Sequence, residues 1–219
     1  MRALILTTGL VSLLCGGCMR HYGDTTLYHQ SGRQKPIVAV LPVIDNTAEN
    51  NLKWDLSREL TDELRKRVYE SKNLYLLREG GNREVAKQLS TPNPQTISKA
   101  IASSLGSAEF VVVAEIIEQD EEKYGVGHYL ESSQNAGVGS VLSLALRVRV
   151  IDIRRDTPKV ILQEVLDNDY VISRAYMNCD YSKCPWGTEA FTHTPMGMAH
   201  NRLIRTLVSR IEAYIEAIK

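Results

Sequence analysis

The sequence carries no excess of charge of either sign: 26 Lys and Arg stand against 26 Asp and Glu in 219 residues. Without a basic surplus the chain has no electrostatic footprint for a phosphate backbone, which sets nucleic acid aside as a partner. It also lacks an apolar run of the roughly 20 residues that a membrane-spanning helix needs; the uncharged stretch from Ala3 to Leu14 is too short. A dinucleotide-binding fingerprint is missing, because Gly125-Val126-Gly127 has neither the third glycine nor a helix start after it. Cysteine is scarce: beyond Cys15 and Cys18 there are only Cys179 and Cys184, spaced C-x4-C and not in the C-x-x-C arrangement that activates a thiol. No nucleophile signature accompanies them. These absences lead to the expectation of a noncatalytic protein with no cofactor and no metal.

What is present reads as one α/β domain. Apolar content of 43% and charged content of 24% are ordinary for a globular protein. Ile37 to Leu41 is an apolar run closed by Pro42, the pattern of a strand buried on both faces. From Leu52 the period becomes helical, with Leu56, Leu60, Leu64 and Val68 four apart, and Asn73 to Leu77 restores a strand. Strand, helix and strand form a βαβ unit with parallel neighbours and a right-handed crossover. Two short helices follow over 83–90 and 94–105, the second closed by Gly106. Phe110 to Ile117 is a third buried strand. The stretch from Glu118 to Gly139 has no clear period and reads as a loop. Leu142, Leu144, Leu146, Val148 and Val150 then alternate with Ser143, Ala145, Arg147 and Arg149, one face buried and one solvated. Val160 to Val171 returns antiparallel. An irregular insert at 173–195 precedes a final helix introduced by Thr194 as N-cap and Pro195 at the first turn. The expected architecture is a mixed-sheet, three-layer-like βαβααβ core with an added antiparallel hairpin and a C-terminal helix.

The N-terminus reads as an export signal: Arg2, then Ala3 to Leu14, then small residues before Cys18. Cys15-Gly16-Gly17-Cys18 resembles a bacterial lipobox, although Leu14 stands one place further out than the lipobox leucine. The resemblance implies a signal at 1–17, acyl (palmitate) chains on Cys18, and a lipid anchor in the membrane. Met19 in place of Asp after that cysteine fits the outer-membrane sorting pattern of such lipoproteins, with the domain facing the periplasm. Residues 18–35 are polar and read as a tether, at most about 60 Å long when extended. His21 and His29 within it read as solvated.

The core motifs carry a wider likeness. Val38–Pro42, Leu56 to Leu64 with Thr61-Asp62-Glu63-Leu64, and Leu74–Glu79 resemble the TolB N-terminal domain, CsgG and LpoB group. The segment 144–162, with Asp152 before its turn, and the helix after Thr194-Pro195 fit the same group, so the likeness spans about 36–218. It implies a noncatalytic envelope module that acts through protein contacts, as an adaptor or an assembly or activation factor. LpoB-like members activate peptidoglycan synthases; CsgG-like members are homo-oligomeric secretion subunits. The tether is shorter than LpoB-type activators use, and the loop and insert lack the alternation of barrel-forming hairpins.

Several residues are candidates for contact or chemistry. Asp45, Asn46 and Thr47 follow the first parallel strand, where α/β sheets place binding groups; their alternative role is to shape the turn. Cys179 and Cys184, in an exported chain, are expected to form a disulfide. With His193 and His200 they also make a nominal C-x4-C-x8-H-x6-H zinc set that matches no common zinc module. A hydrolase using either cysteine with His193 is the enzyme alternative. Tyr176, Tyr181, Trp186 and Phe191 form either a partner-binding patch or a satellite core under the insert.

Overall fold

The computed structural model describes residues 26–47, 52–78, 83–90, 104–123, 138–155, 157–176 and 179–218. Cys18, the signal stretch and most of the segments 94–105 and 118–139 lie outside the described residues. Described strands are β1 (Ile37–Val40), β2 (Ile44–Asp45), β3 (Tyr75–Leu76), β4 (Phe110–Lys123), β5 (Val138–Asp152) and β6 (Lys159–Ser173). Described helices are α1 (Leu56–Glu70), α2 (Arg83–Leu89), α3 (Glu189–Thr192) and α4 (Pro195–Ala217). They make one mixed sheet in the order β3-β1-β4-β5-β6, with β2 alongside β4. β1 runs parallel to β3 and β4, as the βαβ reading requires, and β4, β5 and β6 are antiparallel.

Alternation sorts the strands into two apolar layers. Val38, Val40, Phe110, Val112, Leu142 to Val150 at every second position, and Leu162 and Leu166 face α1 and α4. Leu56, Leu60, Leu64 and Val68 of α1, and Leu203, Leu207 and Ile211 of α4, close that layer. Each such leucine contributes about 1.5–3 kcal/mol by leaving water. On the other face Leu41, Val111, Val113 and Ile151 meet Ala86 and Leu89 of α2 and Leu105. The sheet is therefore covered on both faces, in three layers.

Pro42 divides the first strand. Between the pairs Val40↔Val112 and Ile44↔Glu115 the first strand advances four residues and β4 only three, a one-residue bulge. Proline has no N–H to give the ladder, and α1 supplies the neighbouring groups. Thr61 Oγ1 accepts from Val43 N–H at 2.8 Å, Ser57 Oγ donates to the Val43 carbonyl, and Arg65 donates to the Val40 carbonyl at 3.0 Å. Ser57, Thr61 and Arg65 lie on successive turns, beside the leucine stripe.

Three expectations change. Glu118–Lys123 is not loop but the outer half of β4, and Val138–Gly139 begins β5, so the antiparallel limb is longer than alternation reveals. Its exposed positions Glu118, Asp120 and Glu122 pair with Ala145, Ser143 and Val141; a strand whose outer side faces water needs no apolar alternation. The face of β5 opposite its leucines is not uniformly solvated either. Arg149 is buried, donating to the Leu89 carbonyl at 3.1 Å and to Gln163, and it stands 3.9 Å from the buried Glu115. Finally, the end of the tether is folded onto the domain: Tyr28 bridges Gln34 across a turn in which Gly32 takes φ 80°, and Lys35 is buried.

One register matters for orientation. Val38, Phe110, Asp152 and Lys159 are successive partners in a single row across four strands. The chain enters the domain at the same end of the sheet as the β5–β6 turn. The insert and the start of α4 lie at the other end.

Candidate functional site

The insert closes on the sheet's far end through the corner between α3 and α4. Thr194 caps α4: its hydroxyl accepts from Gly197 N–H at 3.1 Å and donates to the Phe191 carbonyl at 2.7 Å. Gly197 lies so close to α3 that a Cβ there would come within 2.1 Å of the Phe191 carbonyl oxygen. That approach buries Phe191 in the main core. One turn along α4, buried His200 meets buried Glu59 of α1, Nδ1 to Oε1 at 2.6 Å. The other Glu59 oxygen accepts from Trp54 Nε1–H at 2.7 Å. With both of its oxygens engaged, Glu59 fixes the imidazole orientation and holds the indole just ahead of the Asp55 N-cap.

Trp54 carries the insert. Its ring meets Phe191 edge-on at 5.5 Å and Tyr181 at 6.5 Å, separations at which aromatic pairs attract. Burial raises the Tyr181 phenol well above its ordinary value, and Glu121 and Cys179 add to the effect. The Arg58 guanidinium lies over Trp186 at 5.8 Å. Tyr176 is 58% exposed. His200 Nε2 and Gln119 Oε1 are buried with no hydrogen-bond partner among the described residues, and Gln119 Nε2 stands 3.9 Å from Met196 Sδ, one turn before His200.

The residues singled out in the sequence fall into different places. Of the four aromatics, Phe191 is core, Tyr181 and Trp186 are half-buried against it, and Tyr176 is surface. Cys179 and Cys184 are half-buried and stand here as free thiols. Burial pushes the Cys179 thiol up, and the neighbouring Cys184, Asp180 and Glu121 charges push the same way. The nominal zinc set is not assembled: His200 is taken by Glu59, His193 is the exposed C-cap of α3, and no group of three His, Cys, Asp or Glu residues among those described is placed to share an ion. Asp45 forms the turn, accepting from the Thr47 N–H at 3.0 Å and its hydroxyl at 2.6 Å, while Asn46 donates to Glu115 at 3.1 Å. Those three residues sit on a different part of the sheet from the insert. The Glu59–His200–Trp54 set is absent from the sequence reading; 141 residues separate the dyad, and no local pattern links them.

These features define a single mixed-sheet α/β domain with a long antiparallel limb and an aromatic insert strapped across one end. The chain belongs to a family of unknown function (DUF7499), whose model matches residues 24–219. A solved structure of the hypothetical protein CT253 from Chlamydia trachomatis is 36% identical, with a TM-score of 0.71 over 84% of this chain and 99% of that one. Lipoprotein GNA1162 from Neisseria meningitidis is 12% identical, with a TM-score of 0.38 over 80% of this chain and 99% of that one. The LpoB C-terminal domain from Salmonella enterica is 12% identical, with a TM-score of 0.31 over 67% of this chain and 87% of that one. The comparison with curated proteins gave no match.

Proposed function

We propose that this chain is a lipid-anchored, noncatalytic envelope protein whose insert end docks another protein, as an adaptor or an assembly or activation factor. The reading is supported first by the arrangement of Tyr176, Tyr181 and Trp186. Tyr176 is exposed, Tyr181 is half-buried against the Trp54 ring, and Trp186 is half-buried under the Arg58 guanidinium. Half-buried aromatics on a fixed base lose little entropy on binding, which is why such residues dominate interface energies. The anchor rests on the lipobox-like Cys18, and no helix among the described residues is long and apolar enough to cross a membrane. The finer role, for instance activation of peptidoglycan synthesis, rests on the LpoB-like motifs of the sequence.

In-cell crosslinking from position 176 in intact envelopes is the test. Capture of a discrete envelope protein, lost in Trp186→Ala, is the expected outcome; crosslinks indistinguishable from those of a probe in the solvated face of α1 would defeat the reading. Acyl mass on the Cys18 peptide tests the anchor, and non-reducing peptide mapping tests whether the exported protein oxidises Cys179 and Cys184 to a disulfide. A homo-oligomer is the second reading. It is favoured by β6, a 15-residue strand at the sheet edge with Val171 67% exposed, a template for pairing. Light scattering of the detergent-solubilised chain decides it, a strict monomer ending that reading.

A further inference from the structure

At the end where the chain enters the domain, a cleft of about 670 Å³ opens between the β5–β6 turn and the end of α4. Its walls differ in chemistry. Arg154 is paired, donating to both Asp152 oxygens at 2.9 and 2.7 Å with its guanidinium 4.7 Å over the Phe110 ring. The side chains of Arg155 and Lys159 are exposed and make no hydrogen bond or close ion pair with a described residue, the Arg155 charge acting on Asp152 only at longer range. Ile161 and the exposed Ile218 line the same cleft. Two exposed cations sharing a cleft with two apolar side chains, beside a third cation already paired with Asp152, fit a ligand with an anionic head and a hydrocarbon body.

Position selects among such ligands. Lys159 is in the same row of the sheet as Val38, three strands away, or about 15 Å at the usual strand spacing. The final turn of α4 also lies at this entry end, since Ile215 and Glu216 line a second cleft with His29, Arg33 and Pro36. Given the anchor proposed above, on which this step rests, the tether leads from this end to a membrane. We infer that the cleft seats an anionic phospholipid of that membrane, the phosphate on Arg155 and Lys159 and the upper acyl chains on Ile161 and Ile218. The domain then stands with its insert pointing away from the bilayer.

The test is amine acetylation of the full chain in nanodiscs of phosphatidylcholine alone or mixed with phosphatidylglycerol, read peptide by peptide. Lys183, with its side chain 82% exposed at the insert end, is the internal reference. Lys159 labelling should fall about fivefold in the anionic discs, the factor one cation near an anionic surface is worth, while Lys183 stays constant. Arg155→Glu and Ile218→Asp should each abolish the protection, with thermal unfolding showing that the domain is intact. Equal Lys159 rates in both disc types, or an equal fall at Lys183, would overturn the proposal. Protection by inorganic phosphate in lipid-free detergent to the same extent would also overturn it, reassigning the cleft to a free anion. Mixing the chain with vesicles of the same two compositions gives the same readout whether or not Cys18 carries lipid, so failure of the anchor and failure of the cleft are distinguishable.

Discussion

Glu59 uses both carboxylate oxygens inside the core, one on His200 and one on Trp54, and so joins α1, α4 and the base of the insert at one residue. Buried polar networks are costly to break, because each lost partner leaves a group with no water to replace it. Glu59→Ala is expected to cost about 3–5 kcal/mol in urea unfolding, and Trp54→Phe, which removes only the indole donor, about 1–3 kcal/mol. A double cycle of Glu59 and His200 that gave simple additivity would refute the coupling. No local pattern marks Trp54 and Glu59 as partners in the core, because burial of this glutamate depends on a residue 141 positions away. Cys179 offers a second check at this scale. With its thiol pushed up by burial and by Cys184, its thiolate is scarcer than that of an ordinary cysteine, so alkylation of the reduced protein near pH 8 should be slower at Cys179 than in a free peptide. Asp152 titrates the other way. The Arg154 side-chain hydrogen bonds hold its carboxyl below the usual range, outweighing the opposing effect of burial. Unfolded aspartate titrates near about 3.9, so the pair's contribution is complete above that pH and is lost as pH falls through the lowered folded value. Asp152→Asn should lower stability by about 1 kcal/mol near neutrality for this partly exposed pair. The difference from the parent should vanish in strong acid; a constant difference at all pH values would contradict the pairing.

At the scale of elements, the break in the first strand explains a motif that otherwise looks like surface. Thr61 belongs to a Thr-Asp-Glu-Leu run whose charges face water, yet its hydroxyl accepts from Val43 N–H and donates to the Ser57 carbonyl at 2.6 Å. Thr61→Val keeps the shape and leaves the Val43 N–H buried and unpaired, at a cost of about 1–3 kcal/mol. Thr61→Ser should recover most of it in the same unfolding measurement, and equal losses for the two would count against the hydrogen bond as the cause. The core of the fold was legible because burial leaves a period: Leu56, Leu60, Leu64 and Val68 predict α1, and Leu142 to Val150 predict β5 with its inward face. The outer half of β4 was not legible. Glu118 to Lys123 carries charge at most positions, and only pairing with β5, whose Leu142 and Leu144 supply the apolar side, makes it a strand. The insert was legible as irregular and aromatic. Its division into buried Phe191, half-buried Tyr181 and Trp186 and exposed Tyr176 depends on Trp54, which no local pattern connects to it.

For the whole molecule, α4 gives the axis. Its 23 residues reach about 35 Å at 1.5 Å per residue, from the insert end at Pro195 to the entry end at Ala217. The two ends differ in how they are held. The sheet and α4 share a continuous apolar layer, whereas the insert is fixed mainly through Phe191 and the Trp54 ring. Segments with fewer buried contacts open separately from the core, at a free energy below that of global unfolding. Amides of 179–188 should therefore exchange by a local opening, faster than those at the centre of β5, where Leu146 pairs with both Ile116 and Leu166. Trp54→Ala should quicken exchange in the insert much more than at Leu146, and should weaken capture from position 176 even with the sheet intact. If exchange at Leu146 and across the insert rose by the same factor, the insert would be an integral part of one cooperative unit. The Trp54 ring would then not be what holds the docking surface in place.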